Sequence, residues 1–209
     1  MKRGIVLSLS LFLAFSFSSC KSEKKADYTK GTTVEAKKSI AAFSLEKATN
    51  EINFTAYKTT DKVAVGGQFK KVDITSGGEG KSIKEAINNT EFSIPVSSIF
   101  TKDTSRDFKI KKFFFGIMDT TKLLSGKLVL ENDSIGYANI KMNGITEKVT
   151  FLYTIEANTF SMNATMDITK WNASEALNSL NIACKDLHKG ADGVSKTWSE
   201  VALNIKSTF

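Results

Sequence analysis

The sequence predicts an all-β domain of eight antiparallel strands behind an N-terminal leader and a lysine-rich tether. Three observations carry that expectation: repeated period-two alternation of apolar and polar residues, short turn-forming connections between the later runs, and a basic, apolar, small-residue, cysteine succession at the start of the chain. The clearest alternation is Phe160, Met162, Ala164, Met166 and Ile168, interleaved with Ser161, Asn163, Thr165, Asp167 and Thr169. A helix repeats about every 3.6 residues and cannot hold that pattern, whereas a strand sends alternate side chains to opposite faces.

Lys2 and Arg3 open the leader, an apolar run follows from Ile5 to Phe17, and Ser18, Ser19 and Cys20 close it. This is secretory signal-peptide organisation, and the run is too short to span about 30 Å of hydrocarbon. Phe17-Ser18-Ser19-Cys20 resembles the bacterial lipobox, with Phe17 where Leu, Val or Ile is usual. The resemblance implies cleavage before Cys20 and a diacylglycerol on its thiol. The expected organisation is therefore a signal peptide over residues 1–19, a lipidated cysteine with a flexible tether over residues 20–47, and the folded domain over residues 48–209. The stretch from Lys21 to Lys38 is nearly free of large apolar residues, so it cannot bury enough surface to offset its ordering entropy.

The formal charge of +7 is unevenly placed. Lys2 and Arg3 belong to the leader, and residues 21–38 hold six lysines against Glu23, Asp27 and Glu35, which leaves the domain close to neutral at +2. Nucleic-acid binding calls for basic groups gathered on a folded face, so no nucleic-acid partner is expected. A basic tether suits anionic head groups at a membrane.

The strands follow in order. The runs are Ile52, Phe54, Ala56; Val63, Val65, Phe69; Phe92, Ile94, Val96; Leu124, Leu128, Leu130 with Gly126 between; Ala138, Ile140, Met142; Val149, Phe151, Tyr153, Ile155; the Phe160 run; and Val201, Leu203, Ile205. A parity change between Phe69 and Val72 suggests a β-bulge that bends the sheet. Pro95, the single proline, ends its strand, bulges it or places it at an edge. Asn132-Asp133-Ser134, Asn143-Gly144 and Ala157-Asn158 make the later connections, and Asn-Gly fits a type I′ hairpin. Asn172 is expected to cap a short helix with Glu175 three positions on, running through Ala176, Leu177 and Leu180. The chain from there to Gly193 is expected to cover one end of the sheet, and Ser82 to Asn89 to form another helical turn. Such a set of strands forms a sandwich or a closed barrel, and a barrel of eight is either packed solid or holds one small ligand.

Three ordered motifs narrow this. They are Ile52-Asn53-Phe54-Thr55-Ala56-Tyr57 with Val65-Gly66-Gly67-Gln68-Phe69, then Ser105-Arg106-Asp107 with Ile110 and Phe113-Phe114-Phe115-Gly116, then Met142 through Val149 around Asn143-Gly144-Ile145-Thr146. In these the chain resembles the YceI-like family of periplasmic proteins. The resemblance implies an eight-stranded, antiparallel, extended lipocalin-like barrel with one or two short helices in its connections. It also implies a bound polyisoprenoid, isoprenoid quinone or fatty-acid type of lipid and no other cofactor. Relatives often carry histidine where Lys109 stands and an acid after the aromatic pair, so no histidine- or metal-linked activity carries over.

The inward wall of such a barrel would comprise Phe54, Phe69, Phe92, Ile94, Phe114, Phe151, Tyr153, Phe160, Met162, Met166 and Leu203, where methionine adapts to an irregular apolar tail. Tyr153 or Trp198 could meet a polar head with its ring donor. Arg106 and Asp107 either hold that head or brace a long loop, with bracing preferred. Taken as a strand, Phe113, Phe114 and Phe115 cannot all face one cavity.

Catalysis is not expected. The sequence offers no serine, histidine and acid arrangement, no metal-ligand cluster and no phosphate loop, and Gly77-Gly78-Glu79-Gly80 suits a turn. If the helix ran that far, Cys184 and His188 would share a face at i and i+4, but two ligands do not make a metal site, and a partly buried thiol is expected. The expected function is a lipoprotein anchored to a membrane through Cys20, carrying, storing or sensing an amphipathic lipid, with the outer membrane expected ahead of the inner and homodimer formation left open. The alternative is a ligand-free scaffold that binds a protein partner through its loops.

Overall fold

The computed structural model describes residues 41–119 and 121–209, so the expected signal peptide, Cys20 and most of the tether lie outside the described residues. In chain order the elements are β1 (Phe43–Ser44), β2 (Thr49–Lys58), β3 (Val63–Phe69), β4 (Asp73–Ser76), β5 (Glu79–Gly80), α1 (Ile83–Ile87), β6 (Glu91–Pro95), β7 (Ile99–Phe100), α2 (Thr104–Lys109), β8 (Leu123–Leu130), β9 (Ile135–Met142), β10 (Ile145–Glu156), β11 (Thr159–Asp167), α3 (Ser174–Ala183) and β12 (Thr197–Thr208). Ten strands form one sheet in the order β4-β6-β8-β9-β10-β11-β12-β2-β3-β7, every pairing antiparallel, and a small second sheet joins β1 to β5.

The eight longer strands are the eight alternating runs, and the sheet curls into a lipocalin-like half-barrel with their apolar faces inside. Registers align the inward residues across strands: Met162 lies opposite Tyr153 and Ile205, and Leu203 opposite Ala164 and Phe54. Asn143 and Gly144 both have positive φ, 51° and 74°, as the two central residues of a type I′ turn require.

The remaining differences have local causes. Lys70–Val72 is a connection between two strands rather than a bulge within one, because β3 and β4 lie near opposite edges of the sheet. Pro95 ends β6, and Val96 starts a 3-10 turn instead of extending the strand. Asn172 does not cap α3: it sits in the left-handed region at φ 54° and closes the 3-10 turn Ile168–Trp171, while Ala173 holds the cap position without a side-chain bond. Ser82 does cap α1, accepting from the Glu85 N–H at 3.2 Å. The folded part includes Phe43 and the buried Leu45, so it starts before residue 48.

Helix α2 continues into a π-helical stretch, Ile110–Phe115. The Arg106-Asp107 motif and the triple phenylalanine are therefore helical, not loop and strand. Two core clusters result. One, with Phe114, Phe115, Met142, Val149, Ile168 and Trp171, lies toward α2 and α3; the other, with Leu45, Ile83, Ile87, Phe151, Tyr153 and Phe160, lies toward α1.

Candidate functional site

Inside the curled sheet lie two apolar cavities of about 130 and 140 Å³. They share the walls Phe54, Phe69, Leu124, Met142, Met166 and Leu203, so together they run along the interior. The first reaches Leu45, Ile87, Thr90 and Phe160 beneath α1, all of them buried. The second reaches Ile110, Leu180, Thr197 and Trp198, all half-buried, between α2 and α3. Val72, Ile74 and Phe92 of the first cavity are half-buried as well, so α1 marks the more closed end of the interior and α3 the end nearer the surface.

Glycines opposite aromatic residues keep this space open. Phe54 pairs with Gly67, Phe92 with Gly126 and Phe151 with Gly136 on the neighbouring strands. A Cβ added at Gly67 would stand 2.3 Å from the Phe54 ring, and at Gly126 2.8 Å from the Phe92 ring. Each ring occupies the space a neighbouring side chain would need, so it lies along the wall rather than across the interior.

At the α1 end the polar side chains of Thr90, Ser207 and Asn50 are bonded within the protein. Thr90 Oγ1 donates to Ala86 O at 2.7 Å and accepts from Gly78 N at 2.9 Å; Ser207 Oγ donates to Asn50 Oδ1 at 2.6 Å; Asn50 Nδ2 donates to Leu45 O at 2.8 Å. At the other end, Thr197 Oγ1 donates to Asn181 Oδ1 at 2.9 Å, so His188 Nδ1, 2.6 Å from Thr197 Oγ1, is the donor in that contact. Burial, with Lys58, Lys109 and Arg106 adding to it, pushes the His188 pKa down to about 4, and burial pushes the Cys184 thiol up. A raised thiol and a neutral, donating imidazole do not make a nucleophile and base.

A profile of the YceI-like domain matches residues 43–209. The chain belongs to the YceI-like family. Two solved structures resemble the YceI-like domain in fold. One is a polyisoprenoid-binding domain from Saccharophagus degradans implicated in plant cell wall breakdown, 12% identical, with a TM-score of 0.56 over 80% of this chain and 98% of that one. The other is Burkholderia cenocepacia BcnA, 13% identical, with a TM-score of 0.51 over 80% of this chain and 99% of that one. No curated protein matches the chain.

The YceI-like domain brings most of the anticipated wall together. Phe54, Phe69, Phe92, Ile94, Phe160, Met162, Met166 and Leu203 line the first cavity, and Phe114 lines the second. Phe151 and Tyr153 point inward but stand off both cavities, a correction to the expected wall: they pack with Leu45, Ile83 and Ile87, with their ring centroids 6.2 Å apart. Neither anticipated ring donor is free for a ligand, because Tyr153 Oη donates to Asn132 O and Trp198 Nε1 to Thr59 O at 2.8 Å. Asp107 is a brace: its buried Oδ1 accepts from Thr101 N at 2.8 Å and from Thr101 Oγ1 at 2.6 Å. Arg106 donates to Thr101 O at 3.3 Å and lies 3.6 Å from Asp103. Sequence reasoning missed Ile110, Leu177 and Leu180 as walls, although Ile110 and Phe114 at i and i+4 carry a helical signal. Among the described residues, no three His, Cys, Asp or Glu side chains converge as metal ligands.

Proposed function

We propose that this protein binds a long amphipathic lipid, of polyisoprenoid, isoprenoid quinone or fatty-acid type, in the interior of its half-barrel, and acts as a carrier, store or sensor in the cell envelope. The observation that carries this reading is the pair of cavities sharing six apolar walls, more closed at α1 and reaching half-buried residues at α3. Their combined space approaches the lower bound of about 300 Å³ usual for ligand pockets. That bore suits a single chain threaded lengthwise, and Met142, Met162 and Met166 can yield to its shape. Affinity would come from apolar burial at roughly 25 cal/mol per Å², less the cost of ordering the chain. The fold shared with a polyisoprenoid-binding domain supports the ligand class. The lipobox-like Phe17-Ser18-Ser19-Cys20 supports an N-terminal lipid anchor, with the lysines of residues 21–38 lying against anionic head groups of the outer membrane ahead of the inner.

Mass spectrometry of the full-length chain from a bacterial envelope tests both parts. The expected result is a diacylglycerol-modified Cys20 at the mature N-terminus and a discrete non-covalent mass that extracts as a lipid. An unmodified or uncleaved N-terminus overturns the anchor. A clean protein mass, with added prenyl and fatty-acyl probes also failing to bind, overturns the carrier in favour of the scaffold reading.

A further inference from the structure

The end of the interior at α3 carries positive charge that burial of an apolar tail does not use. Lys58 closes β2 and donates from Nζ to Leu187 O at 3.0 Å, beside His188. Lys109 closes α2 immediately before Ile110, which lines the second cavity. Neither lysine forms an ion pair with a described residue. The charges acting on Cys184 and His188 come from Lys58, Lys109 and Arg106, all positive, and His188 contacts Thr197 on the cavity wall. Arg106 is already engaged by Asp103 and Thr101, and Lys58 by the Leu187 carbonyl alone, so the two lysines are the cations of this group with no carboxylate in ion-pair contact.

The α1 end is the opposite case, since Asn50, Thr90 and Ser207 are all satisfied within the protein. A lipid with its tail toward α1 would bring its head to the unpaired cations.

We propose that Lys58 and Lys109 form a site for an acidic lipid head group, carboxylate or phosphate, at the α3 end of the cavity that takes the tail. This rests on the lipid-binding reading. Ammonium groups serve as point-charge partners for either anion, and a partly desolvated setting strengthens the pairing over its value in water.

The test compares heads on identical tails: oleate against oleyl alcohol, and farnesyl monophosphate against farnesol, titrated into the delipidated full-length protein. Wild type is expected to bind each acid about tenfold or more tightly than its alcohol, and Lys58→Gln/Lys109→Gln to lose that preference while holding the alcohols within about twofold. The larger of the two acid-to-alcohol ratios identifies carboxylate or phosphate as the preferred head. Equal binding of acid and alcohol by wild type overturns the proposal and leaves lipid binding standing. So does an acid preference that survives in the double variant. If no probe binds, the lipid-binding reading falls and the head-group site with it.

Discussion

Phe54 is held along the wall because Gly67 leaves room beside it, and it faces both cavities. In Gly67→Ala the new methyl meets the end of that ring at 2.3 Å and Thr101 Cγ2 at 2.9 Å, so the ring must turn into the space where the cavities join. The expected outcome is a loss of about 1–3 kcal/mol by thermal or urea unfolding, together with reduced lipid retention. Gly67→Ala with Phe54→Leu should recover much of both. His188 gives a pH dependence of definite sign. Its pKa near 4, against an ordinary value of 6.5, means that the unfolded chain takes up the proton first, so this contribution to stability is present above pH 6.5 and is lost as pH falls toward 4. Urea unfolding at several pH values in that window should show a steeper acid-side loss in wild type than in His188→Gln. At this scale the alternation assigned inward faces correctly for Phe54, Met162 and Leu203, but it could not tell a cavity wall from solid core. Phe151 and Tyr153 have the same parity as Val149, and only the packing of Leu45, Ile83 and Ile87 separates them from the interior.

At the scale of elements, the segment from Thr101 to Phe115 matters most, because α2 and the π-helical stretch bring Ile110, Phe114 and Phe115 to the second cavity. Asp107 moors this cover by taking both the backbone and side-chain donors of Thr101. Asp107→Ala leaves the Thr101 N–H without its acceptor and should cost about 1–3 kcal/mol, whereas Asp107→Asn keeps a carbonyl oxygen in place and should cost less. Arg106→Ala removes an ion pair between half-exposed groups and should fall within about 1 kcal/mol. Hydrogen exchange should show α2 opening in Asp107→Ala before the strands do. The strands were legible because each repeats its pattern over several residues. This segment was not, because three consecutive phenylalanines carry no period of their own, and a π-helical stretch departs from the spacing that marks an α-helix. Helix α3 was placed correctly from Ala176, Leu177 and Leu180, while its cap was misassigned because Asn172 spends its backbone on the preceding 3-10 turn.

At the scale of the whole molecule, the interior has a direction, and direction limits the length of chain it can hold. Met162 lines the first cavity alone, on the side toward the closed end, while Met166 lines both and stands where they join. Each methylene that enters an apolar interior adds about 0.8 kcal/mol of affinity, so binding of a homologous series of fatty acids should strengthen with length until the closed end is reached, and then level off. Met162→Trp fills space near that end without narrowing the junction, so short chains should bind as in wild type and the plateau should come earlier. Met166→Trp obstructs the junction itself, so the plateau should come earlier still and long chains should lose most. The order follows from the tail entering at α3 and advancing toward α1. Plateaus at one common length for wild type and both variants would mean that chains do not pass along the interior, whatever else they bind.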